Sequence, residues 1–195
     1  MAMKSIWFML ARLGRQDVRK IQQGDGSSVG LSPSLDEIQQ MNRPLVGFDE
    51  LNREKLYDVL SLVRDVFMEF EAPDYTDEGI EEFLDFLDPD SISAMLDDGE
   101  MRIWTCECDG EIVGCVAGRK EHINLLFVHG KFHRRGIARR LVEIFIDNYR
   151  PAVITVNSSP YAIEAYRRLG FVETGVEKVE NGIRFTPMRR ELTIS

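Results

Sequence analysis

From residue 52 onward, apolar positions recur every three or four residues. Leu56, Val59, Leu60, Val63, Val66, Phe67 and Phe70 trace one face of a long helix, with Asn52 as its N-cap. Ala72-Pro73 interrupts the period. Thr76 then caps a second helix carrying Ile80, Phe83, Leu84 and Leu87, and a short third helix follows Ser91. Residues 101–108 and 111–119 flank Asp109-Gly110, a pair suited to a type I′ turn, and so predict a β-hairpin. Cys106 and Cys108 lie two apart on its first strand and are read as packed thiols sharing a face. Residues 122–128 predict another strand. Past the next loop the period lengthens again: Ile137, Leu141, Phe145 and Tyr149 form one ladder and Ala138, Val142 and Ile146 a second, until Pro151 ends the helix. Residues 152–156 read as a buried strand. Ser159-Pro160 read as N-cap and first turn of a helix with Ala162, Ala165, Tyr166 and Leu169 inward and Gly170 just past its end. Residues 171–174 and 184–190 predict closing strands around the turn at Asn181-Gly182. This order predicts an α/β domain with a mixed sheet of six to seven strands flanked by helices.

The texture differs before residue 41. Residues 22–35 are rich in Gly, Ser, Asp and Pro, the composition of a linker. Residues 1–40 are therefore read as a partly flexible N-terminal extension, or as an over-long start with Met41 as the working one, and residues 41–195 as the functional domain. A short amphipathic helix is expected within residues 5–21. The apolar run at residues 6–11 is too short to span a membrane and lacks a cleavage site, so no export signal or anchor is expected. A chain of 195 residues with 44% hydrophobic composition can bury one sizeable core. A net charge of -9, from 33 acidic against 24 basic residues, disfavours nucleic acid and anionic membranes as partners and weakly favours a cationic substrate. The three cysteines form no CxxC pair and no HxxxH spacing accompanies them, so neither a disulfide framework nor a metal site is expected and a cytoplasmic compartment is.

Against this acidic background, FHRRGIARRL (residues 132–141) gathers four arginines around one glycine at a helix start. Glycine lets the backbone approach a ligand, and the unpaired N–H groups of the first turn sit at the positive end of the helix dipole, which makes an anion site. Arg134 and Arg135 before Gly136, with Arg139 and Arg140 one turn later, would surround a phosphate. A solvated basic helix start is the alternative reading. No GK[ST] follows and no GxGxxG is present, which excludes the P-loop and the dinucleotide fingerprint.

LFVHGKFHRRGIARRL (residues 126–141) resembles the acetyl-CoA-binding signature of the GCN5-related N-acetyltransferase family, a strand followed by [QR]xxGx[GA] opening a helix. VNSSPYAIEAYRRLGF (residues 156–171) resembles that family's next motif. The resemblance covers roughly residues 44–190 and implies a mostly antiparallel sheet and transfer of an acetyl group from acetyl-CoA directly to a primary amine. It implies that the amides of Arg134, Arg135, Gly136, Ile137 and Ala138 hold the cofactor pyrophosphate. The arginines, Arg139 among them, and Lys131 would meet the pyrophosphate or the 3′-phosphate. The backbone of Phe127 and Val128 would pair with the pantetheine arm, beside a bulge that splays two parallel strands, and Asn157 or Ser159 would contact pantetheine. Tyr166 matches the tyrosine that in many members protonates the leaving thiolate, with packing on the sheet as its alternative role. Gly130 stands where proline is common and His133 where glutamine or arginine is usual. No metal is implied. Homodimers are common among similar proteins, and the sequence leaves a homodimer open.

An amine attacking a thioester must first lose a proton, and the oxyanion that forms needs N–H donors. His122, Glu121, Glu69, Glu71 and Asp74 are the candidate bases, with a structural hydrogen bond as the alternative for His122. The acidic segment 69–79 would suit a cationic small-molecule or peptide amine, or is simply a solvated face. A second class of function stays open, a non-catalytic module that binds acyl-CoA and regulates a partner.

Overall fold

The computed structural model describes residues 46–192; the extension expected over residues 1–40 and the helix expected within residues 5–21 lie outside them. An eight-stranded sheet is built from β1 (Val46–Glu50), β2 (Arg102–Cys108), β3 (Glu111–Arg119), β4 (His122–Val128), β5 (Val153–Ser158), β6 (Val172–Glu173), β7 (Lys178–Glu180) and β8 (Ile183–Glu191). Its order is β1-β2-β3-β4-β5-β8-β6, with β7 paired to β8, and every pairing except β4 with β5 is antiparallel. Among the described residues, five α-helices accompany it: α1 (Leu56–Phe70), α2 (Asp77–Phe86), α3 (Pro89–Asp97), α4 (Ile137–Tyr149) and α5 (Ile163–Arg168).

The sheet is buried on both faces, which is why β3 and β4 read as nearly continuous apolar runs. One face packs on α4: Leu141, Val142 and Phe145 are fully buried against Trp104, Cys106, Ile123, Ile154 and Met188. The other packs on α1: Val59, Val63 and Phe67 meet Cys115, Ala117, Leu125 and Phe127. Burying each of these large side chains contributes about 1.5–3 kcal/mol. Cys106 and Cys108 share the α4 face and Cys115 the opposite one, all as buried thiols.

Local chemistry sets the boundaries. Asn52, expected as the N-cap of α1, instead caps a 3-10 turn before it, its side chain accepting from the Glu54 N–H at 3.1 Å, and Lys55 precedes α1 without a side-chain cap; Thr76 Oγ1 accepts from the Gly79 N–H at 3.2 Å at the start of α2. Asp109-Gly110 and Asn181-Gly182 all have positive φ, as type I′ turns require. Gly170 (φ 88°) closes α5, with the Phe171 N–H donating to the Tyr166 carbonyl and the Gly170 N–H to that of Arg167.

Three readings are corrected. Helix α3 begins at Pro89 and not after Ser91, because Asp88 supplies the cap, accepting from the Ser91 N–H at 2.9 Å. Helix α5 begins at Ile163 with Ala162 as N-cap, so Ser159-Pro160 do not cap it. The strand preceding Asn181-Gly182 is β7, and residues 172–173 form the separate short β6, which pairs with β8 opposite β5. The strand β1 carries no apolar alternation strong enough to announce it; it is an edge strand whose Val46 is half exposed.

Candidate active site

The parallel pair β4 and β5 holds the site because it comes apart. Only His122 and Ile123 pair with β5, opposite Thr155 and Val156. On the other edge of β4, Gly118 faces Ile123 and Ala117 faces Leu125, which leaves Asn124 as the extra residue of a bulge. The bulge inverts the facing of the strand. Ile123 packs on the α4 side, and Leu125, two residues on, packs on the α1 side.

Beyond the bulge the N–H and C=O groups of alternate residues face the gap. The His129 N–H donates to the Val113 carbonyl at 2.9 Å, so the antiparallel alternation turns the backbone of Phe127 toward Cys115 and that of Leu126 and Val128 toward β5. Of the two residues expected to offer backbone there, Val128 has its polar groups on the open side and Phe127 does not; Leu126 takes that position. His133 Nε2 donates to the Val128 carbonyl at 2.7 Å, and its ring leans on Phe70 at 5.3 Å between centroids. Gly130 has a steric reason: a Cβ there would stand 3.0 Å from the Phe70 ring.

A cavity of about 480 Å³ occupies this gap and reaches the start of α4. Phe127, Val128, Arg134, Gly136, Ile137, Ala138 and Arg139 line it, with Tyr161 and Arg168 beyond those expected. Gly136 (φ 83°) is the N-cap of α4 and no side chain caps the helix, so its first-turn amides stay available. Arg134, just before it, also has positive φ (59°). Arg135 is not on this wall; its guanidinium lies 5.0 Å above the Phe132 ring. Nothing stands within 4 Å of a Cβ built on Gly136, so Gly136→Ala is expected to cost only the backbone strain of about 1 kcal/mol, read as a lowered midpoint of chemical unfolding.

A second cavity, of about 340 Å³, lies on the other side of the same gap. His122, Asn157 and Ser159 line this one and not the larger, together with Tyr75, Phe83, Phe86 and Phe185. Glu71, Leu126, Phe127, Ala162 and Tyr166 line both, so the two cavities meet at these residues. Sequence reading had Glu71 as one carboxylate among several; its position where α1 ends, against the mouth of the β4–β5 gap, singles it out.

Electrostatics concentrates at this junction. Burial pushes the Glu71 carboxyl up to about 7, partly opposed by the nearby Ser159 hydroxyl. That hydroxyl is close enough to act on Glu71 electrostatically, yet it meets no partner at hydrogen-bonding geometry. Burial and the Glu71 charge both raise the Tyr166 phenol, which therefore remains protonated. His122 is held below its usual value by burial and then by Arg119. Thr155 Oγ1 donates to the Glu121 carbonyl at 3.0 Å and so accepts from His122 Nδ1 at 2.8 Å, leaving Nε2 of the neutral ring as an acceptor.

The Glu71 shift has a consequence for stability. A carboxyl whose folded value lies above its unfolded value of 4.5 contributes stability that is fully present below 4.5 and lost as pH rises through about 7. Glu71→Gln removes that loss. At pH 8 the variant is expected to exceed the parent by up to about 3 kcal/mol, and to match it near pH 4, by chemical denaturation at the two pH values.

Residues 71–192 match the family model described as an acetyltransferase (GNAT) domain. Solved structures similar to the chain include a GCN5-related N-acetyltransferase from Rhodopseudomonas palustris, 19% identical with a TM-score of 0.64 over 75% of this chain and 95% of that one. PaiA N-acetyltransferase from Thermoplasma acidophilum, solved in complex with coenzyme A, is 13% identical with a TM-score of 0.62 over 76% of this chain and 99% of that one. A GNAT-family acetyltransferase from Staphylococcus aureus Mu50 is 16% identical with a TM-score of 0.59 over 76% and 100%. A search of curated proteins finds no significant match. The splayed strands, the uncapped glycine-led helix and the match over residues 71–192 converge on one conclusion, that the chain belongs to the GNAT acetyltransferase family.

Proposed function

We propose that this protein is an acetyl-CoA-dependent N-acetyltransferase that moves the acetyl group directly to a primary amine, with the larger cavity taking the cofactor and the smaller one the amine. The observation that carries this reading is the meeting of the two cavities at Glu71 and Tyr166. The larger cavity suits the cofactor chemically: first-turn amides with Arg134 and Arg139 for the pyrophosphate, and the open edge of Leu126 and Val128 for the amides of the pantetheine arm. When bound, acetyl-CoA supplies the activated thioester.

The protein's own groups do the rest. Glu71, poised near neutrality, accepts a proton from the incoming ammonium so that a lone pair is free to attack. A backbone N–H on the open edge of β4 stabilises the developing oxyanion in this reading. Tyr166, kept protonated, donates to the departing thiolate. The three buried cysteines are unpaired thiols, which supports a cytoplasmic location.

Calorimetric titration with acetyl-CoA and a free-thiol assay over primary amines test the reading together. Tyr166→Phe is expected to lower kcat by about 10- to 100-fold and to leave the acetyl-CoA dissociation constant within about twofold. Acetyl-CoA binding without turnover of any amine would favour the regulatory module; absence of binding would remove the cofactor assignment.

A further inference from the structure

The smaller cavity carries more information about the amine than the transfer chemistry needs. Glu82 on α2 and Glu180 at the end of β7 line it, and the Asn181 side chain, in the turn after β7, donates to Glu82 at 3.3 Å. Neither carboxylate lines the larger cavity, and both are exposed, so they belong to the rim away from the Glu71 junction. Among the described residues, no lysine or arginine lines the smaller cavity. The rim is held in place by backbone contact: a Cβ on Gly79 would stand 2.2 Å from the Gly182 carbonyl oxygen, so α2 and the β7–β8 turn sit directly against each other.

The interior independently asks for a ligand rich in hydrogen-bond donors. Ser159 is 6% exposed and its Oγ has no hydrogen-bond partner, and the Asn124 carbonyl oxygen is likewise buried and unpartnered. Both residues line this cavity. Buried polar atoms left unpaired are costly, and Asn124 Oδ1 is only ever an acceptor, so the group that completes it carries N–H or O–H donors. An ammonium or amine at the junction does so. Between the junction and the rim the wall is aromatic, from Phe83 and Phe86, which suits methylene groups and not further charge.

We propose that the acceptor is a linear aliphatic amine with a second cationic group. Its reacting nitrogen lies at Glu71, Ser159 and Asn124, its methylenes along the aromatic wall, and its second ammonium between Glu82 and Glu180. This rests on the assignment of the smaller cavity to the amine. The overall change would balance as transfer of acetyl from sulfur to nitrogen: the N–C bond forms and the C–S bond breaks, the ammonium loses one proton through Glu71 before attack, Tyr166 protonates the departing thiolate, and the second proton shed by nitrogen as the adduct collapses restores Tyr166.

The test compares 1,4-diaminobutane with 1-aminobutane by calorimetric titration of the full chain in the presence of coenzyme A, for the parent and for Glu82→Gln/Glu180→Gln. The diamine is expected to bind about tenfold more tightly than the monoamine in the parent, with the ratio falling toward one in the double variant and on raising salt. A ratio near one in the parent, or a preference that survives in the double variant, would overturn the proposal. Because binding is read without turnover, this outcome is distinct from failure of the transfer reading, which shows as absence of thiol release from acetyl-CoA with a diamine that binds. A folding defect is separated by Glu82→Asp/Glu180→Asp, which keeps both charges and is expected to retain the preference.

Discussion

Glu71→Gln is expected to lower kcat/KM for amine acetylation by about 10²- to 10⁴-fold, the range in which a lost general base falls. The parent rate should rise with pH through about 7, because the carboxylate is the active form and burial holds its ionisation there. In the variant that limb disappears, and only the rise from ionisation of the amine itself remains at higher pH. His122→Ala sharpens the assignment. Its Nδ1 is committed to Thr155 and it does not line the larger cavity, so its loss is expected to cost less than tenfold and to leave the limb near 7 in place. A variant of His122 that abolished this limb, beside a Glu71→Gln enzyme that kept it, would exchange their roles.

Gly118→Ala is expected to destabilise the protein by about 3 kcal/mol, or roughly 10 °C in Tm. A Cβ at residue 118 would stand 2.3 Å from the His122 carbonyl oxygen and 2.8 Å from the Phe145 ring. The first neighbour is backbone on the strand that carries the site, and the second is fully buried, so neither yields cheaply. The damage would extend to the active site, because Gly118 faces Ile123 immediately before the bulge at Asn124. Gly47→Ala is the control: it is also a strand glycine, nothing stands within 4 Å, and its effect is expected to stay within about 0.5 kcal/mol. Thermal unfolding of the pair measures both.

What the sequence revealed and what it hid follow from the range of the interactions involved. Gly136 and the first turn of α4 were legible because a positive-φ glycine opening an amphipathic helix is a local matter. The helices α1, α2 and α4 were legible from their period for the same reason, and α2 also from its Thr76 cap. The Asn124 bulge was not, because HINLLFV is apolar for both faces of a doubly covered sheet and its period of two is already masked. Glu71 appeared in the sequence as one acid in an acidic stretch. Only the packing of α1 against the open end of β4 and β5 separates it from Glu69 and Asp74, since burial at the junction comes from residues distant in the chain. Glu82 and Glu180 illustrate the same limit: they line one cavity only because Gly79 and Gly182 allow two backbones to touch. Asn157 at the end of β5 and Ser159 just beyond it both line the smaller cavity, a placement that depends on how β5 parts from β4 and not on their neighbours in the sequence.

The most direct test of the central claim is release of free thiol from acetyl-CoA by the purified protein, with and without a primary amine, alongside the mass of the amine product. Thiol release that depends on the amine, matched one for one by acetylated amine and lost in Glu71→Gln, is the result expected. Thiol release that proceeds without any amine, or tight binding of acetyl-CoA with no release across diamines and monoamines alike, would contradict direct transfer between the two cavities.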